Sequence, residues 1–340
     1  MKNIIKAALC IAAVTALYTS ASAAAAPAAV PYGESVIDGK KDECYNGFSP
    51  IKTEIASISN KGKTGAQAEV WLAWDYDGLN VYAEVHDNTP DLTGTESYYR
   101  DSVEIFIDED HSKSDIKDNN DVQYRVVRDN SHDVGLSAKD NFTSAVNELA
   151  ESYIVEVKLP WRDVIPADGM VMGFDFMVND AENGERKTMM LWNSTTNTNY
   201  KSTLNYGEIK LIYGDNYKPW DKVRPLMIAL DSMRVDCGDV HPEVVDGRTL
   251  IPMRALFERF GAGVVWNGEE RTVYAIGSDK LIKLPIGSQT VYVDGEEKEL
   301  DVPAMIINDR TMVPVRFIAE TFGANVKYDE YVGAVIITTK

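Results

Sequence analysis

The chain has 340 residues, with 53 Asp and Glu against 34 Lys and Arg and a formal charge of -19. So acidic a surface repels nucleic acid and anionic lipid, and suits a neutral ligand, a cationic one or a bound metal ion. Its three cysteines exclude a disulfide scaffold and a multi-cysteine metal site, since Cys44 and Cys237 lie far apart and Cys10 sits in the leader.

The opening "MKNIIKAALCIAAVTALYTSASA", residues 1–23, has two lysines, a short apolar run and a small-residue ending, the pattern of a secretory signal. Its removal takes the formal charge to about -21 and leaves a chain expected to be secreted or held at the cell surface. No other stretch approaches the ~18 apolar residues of a spanning helix, so no membrane span is expected. Residues 24–33 read as a linker.

From 34 to 212 the pattern is short alternating strands between polar turns, among them "AEVWLAW", "LNVYAEVHD", "SVEIFID", "VQYRVV" and "SYIVEVKLPW". Such spacing predicts an antiparallel β-sandwich, jelly-roll-like in kind. Within "RDSVEIFIDEDHSKSD", Val103, Ile105 and Ile107 alternate with Ser102, Glu104 and Phe106, which marks a half-buried strand carrying an acid on its outer face. In "VQYRVV", Gln123 and Arg125 share a face. A hairpin over the acidic loop would put Glu104 and Arg125 side by side. That pair is either an ordinary cross-strand ion pair or half of a polar site whose spare donors and acceptors a sugar could meet. The acidic run "DEDHSKSDIKDNND" offers hard oxygen ligands suited to calcium, or a solvated turn. His86, His111 and His132 lack paired metal-ligand spacing, and no metal is assigned to them.

Residues 213–226 read as a second linker. Beyond it "DGRTLIPMRALFERFGAGVVWN" and "NDRTMVPVRFIAETFGANVKYD" form an internal repeat, with nine identities in the seventeen positions between Arg248–Val264 and Arg310–Val326. Each unit predicts a turn, an extended stretch, a helix with proline in its first turn, a Gly-Ala stop and a strand. The expected fold is therefore mainly β, a sandwich followed by a small α+β domain with an internal repeat.

Two resemblances refine this. Residues 227–340 resemble the copper amine oxidase N-terminal-like, or stalk, domain through the "RT-[LM]-[IV]-P-[MV]-R…FGA" repeat. The resemblance implies a module for surface attachment or partner contact, on a cell wall for instance. No copper is expected, because this part has one histidine, His241, and lacks the tyrosine context of copper oxidases. Residues 34–212 resemble a family 9 carbohydrate-binding module of the kind appended to xylanases, through "SVIDGKKDECYN", "DSVEIFIDED", "DNNDVQYRV", "SYIVEVKLPW", "GFDFMVNDAENGERK" and "NYGEIKLI" in order.

That second resemblance implies a sugar of a β-glucan or xylan, typically a reducing end, clamped between two aromatic rings. Its glutamate, arginine and asparagine fall on Glu104, Arg125 and Asn197, and its two clamp tryptophans fall on Tyr98 and Tyr200. It also implies structural calcium, with Asp87 and Asp180 at matching positions. The expected function is non-catalytic: an exported polysaccharide- or oligosaccharide-binding protein. The alternative is a cell-surface scaffold whose sandwich has lost its sugar, and a haem-holding sandwich is a weaker third reading. No serine-nucleophile elbow, phosphate loop or His-Glu-x-x-His motif points to an enzyme.

Overall fold

The computed structural model describes residues 26–118, 120–135, 141–213, 226–277, 279–330 and 332–339. The expected leader and most of the second linker lie outside them. Among the described residues no helix is long and apolar enough to cross a membrane.

The fold is mainly β. Two sheets face each other across one apolar interior. The first runs Ala28–Pro31, Gly207–Ile212, Val171–Glu182, Ser102–Asp108, Asp121–Val127 and His132–Val134, with Glu185–Leu191 extending the far half of the long strand. The second runs Ile51–Lys52, Gln67–Trp74, Gly78–His86, Ser152–Pro160 and Thr143–Glu148. Alternation decides which side chains enter: Val103, Ile105, Ile107, Val122, Tyr124, Val126, Phe174 and Phe176 all point into the shared core. Residues 28–31, inside the segment expected to be a linker, pair in parallel with 209–212. They are small and apolar, and Val30 is wholly buried.

The strand Ser102–Asp108 differs from the half-buried strand the alternation predicts, because both of its faces are buried. Its outer face carries a second apolar layer of Phe106, Met177, Met189, Leu191 and Tyr206. Two loops close over that layer and are stitched together: Ser114 N–H donates to Thr203 Oγ1 at 2.8 Å, Thr203 N–H to the Ser114 carbonyl at 3.0 Å, and Lys117 N–H to the Lys201 carbonyl at 3.0 Å. Periodicity within one strand cannot report a cover that arrives from ~90 residues away along the chain.

The second domain is built on the repeat. Arg248–Pro252 and Arg310–Pro314 pair antiparallel with Ile251 opposite Val313, the same position of each unit, so the two copies meet about a local two-fold axis. Before each lies a hairpin whose turn has both central residues at positive φ: Asp246 and Gly247 (48° and 72°), Asn308 and Asp309 (48° and 60°). That is the turn whose twist matches paired strands, and Asp-Gly is its favoured sequence. A seven-residue helix follows, Met253–Arg259 or Val315–Thr321, capped by a proline and stopped at Gly261 or Gly323 with φ of 75° and 78°. Each helix then leads to a strand, Gly263–Asn267 or Asn325–Asp329. Met227–Leu230, the domain's first strand, pairs in parallel with Ala334–Thr338, its last.

The two domains touch. Ala229, Val332 and Ala334 join the sandwich core cluster, Val164 bridges Met233, and Ile165 N–H donates to the Ser232 carbonyl at 3.1 Å. The loop they meet is held by buried Glu109, which accepts from the Arg162 and Asp163 N–H groups at 3.0 and 3.1 Å.

Candidate functional site

Register builds the site. Glu104 faces Arg125 directly on one side and Met177 on the other, and at 2 % exposure its carboxylate has left water. It therefore needs protein donors. Arg125 donates to Oε1 from Nε at 3.1 Å and Nη2 at 3.0 Å, Asn179 Nδ2 donates to the same oxygen at 2.8 Å, and Gln123 Nε2 donates to Oε2. Oε1 is saturated, whereas Oε2 holds one bond and has room for another donor.

Arg125 Nη1 also donates to Ser97 Oγ at 2.9 Å and to Asp133 Oδ2 at 2.8 Å. Tyr98 sits in the short turn Ser97–Tyr99. The guanidinium carbons of Arg125 and Arg186 lie 5.5 and 5.8 Å from its ring centre, and the Tyr99 ring lies 4.5 Å away. Such cation–ring contacts fix the ring's orientation. Arg186 makes one side-chain hydrogen bond among the described residues, to Asn179 Oδ1 at 3.3 Å, and its burial lowers its pKa from the ordinary guanidinium value. It keeps donors to spare.

The second aromatic comes from the loop after Leu191. Asp175, on the same outer face, anchors that loop by accepting from Asn193 N–H at 3.1 Å, Ser194 N–H at 2.9 Å and Asn199 Nδ2 at 2.8 Å. So held, the loop presents Tyr200, 56 % exposed. Asn197 is half-buried there, and its side chain has no hydrogen bond among the described residues. Lys117 reaches in from the acidic loop, its ammonium 5.3 Å from the Phe106 ring centre and 5.8 Å from that of Tyr206. Burial pulls its pKa down to about 8, against the attraction of Asp121, Glu104 and Asp108.

Of the five expected ligand contacts, Tyr98, Glu104 and Arg125 thus form one cluster. Asn197 and Tyr200 share the neighbouring loop and make no hydrogen bond or ring contact with those three among the described residues. Sequence reasoning missed Asn179 and Arg186, which arrive on distant strands, and Lys117, hidden in an acidic run.

A second polar cluster lies at the end of the sandwich. Asp87 and Asp180 come together with Asp101, all buried, with one carboxylate oxygen of each within 4.8 Å of the others. Asp180 Oδ2 accepts from Ala66 N–H at 3.1 Å and Thr188 Oγ1 at 3.0 Å. Gly65 is required beside it, because a Cβ there would stand 2.4 Å from that oxygen. Arg128, also buried, has Nη1 3.0 Å from Asp87 and 3.5 Å from Asp101. Three carboxylates against one guanidinium leave a buried excess of negative charge. Burial, with Asp87 nearby, pushes Asp101 up to about 7. Hard oxygen donors with surplus negative charge fit a divalent cation such as calcium. In the "DEDHSKSDIKDNND" loop Asp108, Asp110, Asp118 and Asp121 are instead spent on turns, Asp108 accepting from Ser112 and Lys113 N–H at 2.9 Å each.

Buried acids elsewhere give the sandwich a pH signature. Burial raises Glu109 to about 7 and Asp175 to about 6. Between the unfolded carboxylate pKa near 4 and these values the folded chain holds more protons, so its stability rises as pH falls. Asp91 and Asp129, whose pKa values are lowered by hydrogen bonds from Thr93 and Ser131, lose their contribution only below about pH 4. Metal-free protein is expected to melt several degrees higher at pH 5.5 than at pH 8. Differential scanning calorimetry in chelator checks this, and a flat or inverted profile would contradict the burial of these groups.

Comparison with known proteins adds a family. Residues 37–213 match the family described as carbohydrate family 9 binding domain-like, and residues 230–337 the copper amine oxidase N-terminal domain. The chain is 36 % identical over 182 residues to endo-1,4-beta-xylanase A of Thermoanaerobacterium saccharolyticum and to exoglucanase XynX of Acetivibrio thermocellus. Each match covers 53 % of this chain and 16 % of the relative, so the chain spans about a sixth of these relatives' length. A carbohydrate binding module family 9 structure from Caldicellulosiruptor kristjanssonii in complex with cellotriose is 30 % identical at a TM-score of 0.52, over 58 % of this chain and all of that one. The same organism's module in complex with glucose is 32 % identical at 0.51, over 56 % of this chain and 98 % of that one.

Proposed function

Because the chain belongs, through residues 37–213, to the carbohydrate family 9 binding domain-like family, we propose that its sandwich holds an oligosaccharide at the Glu104–Arg125 cluster and does no chemistry on it. The observation that carries this is a buried carboxylate ringed by fixed donors, with Glu104 Oε2, Arg186 and the Asn197 amide still able to bond. Sugar hydroxyls donate and accept, so one hydroxyl can bond Glu104 and an arginine together. Tyr98 and Tyr200 offer flat faces to sugar C–H groups. The solved relatives hold cellotriose and glucose, and the curated ones include an endo-1,4-beta-xylanase and an exoglucanase, which supports a β-1,4-linked gluco- or xylo-oligosaccharide. On this reading the protein is exported, and residues 227–340 attach it to a surface or partner.

Asp87, Asp101 and Asp180 would hold a calcium ion, which supplies charge neutralisation and a fixed strand end and takes no part in sugar contact.

Titrating the full chain calorimetrically with cello- and xylo-oligosaccharides, free-ended and reduced, tests the sugar reading. Heat is expected with the free-ended sugars, and a silent panel from folded protein would overturn it. One observation favours a surface scaffold instead: Glu104 and Arg125 already satisfy each other. Substitution of the rings separates the two readings. Tyr98→Ala with Tyr200→Ala is expected to abolish the heat of binding to soluble cello- and xylo-oligosaccharides at unchanged melting temperature. The double change to tryptophan is expected to tighten binding by about tenfold, the return on ~1 kcal/mol of added ring contact.

A further inference from the structure

The second domain carries two clefts that are copies of one another. The first, about 780 Å³, lies between the helix Met253–Arg259, the strand bearing Trp266 and the turn at Arg310 of the other repeat. The second, about 790 Å³, lies between the helix Val315–Thr321, the strand bearing Tyr328 and the turn at Arg248 of the first repeat. Each is therefore made jointly by both units, as the local two-fold pairing of Ile251 and Val313 requires. Trp266 and Tyr328 occupy the same repeat position and are 48 % and 56 % exposed, although large apolar rings are costly to leave in water. Valines at matching positions, Val264 and Val326, line the wall beside them.

The arginines of the clefts are all paired, and Asp236 and Asp309 in the first cleft and Glu299 in the second remain beyond those pairs as acceptors for hydroxyl groups. Arg310 pairs with Asp239 at 2.8 Å and Arg248 with Asp301 at 2.6 Å. The helix pairs Arg254–Glu258 and Arg316–Glu320 both stand at 3.7 Å. Every cleft arginine is thus neutralised within the domain, so an anionic partner meets no free cation. A neutral, hydroxyl-rich partner can bond the rims of these ion pairs and lay its C–H face on the ring. Two identical sites favour a ligand that presents the same group repeatedly.

We propose that residues 227–340 bind a neutral polysaccharide chain at two equivalent clefts centred on Trp266 and Tyr328, a site separate from the sandwich. The probes are insoluble xylan and cellulose, with depletion of the full chain from solution as the readout. Glu104→Ala in the full chain silences the sandwich. Retention is then expected to persist, to fall about tenfold or more when either Trp266 or Tyr328 becomes alanine, because bivalence is lost, and to vanish when both do. Both side chains are exposed, so unchanged melting temperatures are expected and are measured alongside. Loss of all retention on Glu104→Ala alone, or retention indifferent to both ring changes, overturns the clefts and leaves protein contact as their use. Retention by Trp266→Ala/Tyr328→Ala that Glu104→Ala then removes supports the sandwich by itself. Retention unaffected by Glu104→Ala but removed by the ring pair supports the clefts and sinks the sandwich reading.

Discussion

Glu104→Ala is expected to lower affinity for cello-oligosaccharides by about a hundredfold or more, since a buried charged partner worth ~3 kcal/mol or more disappears from the sugar's contact set. The folded state suffers too. Arg125 has a side chain 11 % exposed, and Asp133, itself half exposed, becomes its one remaining acidic partner. A loss of about 3 kcal/mol in unfolding free energy follows from stranding that guanidinium. The double change Glu104→Leu with Arg125→Met separates the two effects, because an apolar pair of similar size removes the stranded charge. It is expected to recover most of the stability and none of the binding. Titration calorimetry and denaturant melts on the three proteins decide it. Sugar binding retained by the double variant would place the ligand elsewhere.

Calcium is expected to govern the strand ends that carry Asp87, Asp101 and Asp180. A site filled at about a thousand times its dissociation constant stabilises by ~4 kcal/mol, so chelation should lower the melting temperature by roughly 10 °C. Asp180→Asn tests the charge by itself. Its amide oxygen can keep the bonds from Ala66 and Thr188, both made to Oδ2, while the other oxygen becomes an amide NH2 that cannot ligate a cation. The variant is expected to melt near the metal-free wild type and to ignore added calcium. A wild type indifferent to chelator would assign the three aspartates to Arg128 alone, as a buried ion-pair network.

Much of this was written locally in the chain. The alternation in "SVEIF" and "VQYRV" places Glu104 and Arg125 on one face of a hairpin, and their register sets them opposite each other. Asp246-Gly247 and the repeated Pro-x-Arg segments announce the two units of the second domain. What was not legible depends on pairing at long range. Asp101 joins Asp87 and Asp180 because Ser102 pairs with Asn179, a register that no local pattern states. Asn179 reaches Glu104 by the same pairing, and Arg186 follows from the Asn183-Gly184 turn, whose φ angles are 58° and 75°. The turn was readable as a turn, but not the strand beside which it would deliver an arginine. Lys117 was masked by composition: among so many acids, one lysine reads as solvated, yet it lies over Phe106 and Tyr206.

The pairing of Met227–Leu230 with Ala334–Thr338 has a mechanical meaning. The two strands run parallel and adjacent, and they are the first and last of their domain. Tension applied between the domain's ends pulls them in opposite directions along their length. The backbone hydrogen bonds between them are then loaded in shear, all at once, instead of being unzipped one by one. Ile228 and Ile337, both buried in the domain's interior, must be dragged past their neighbours before the ladder parts. A domain that joined a sugar-holding head to something fixed would be expected to resist extension at this clamp.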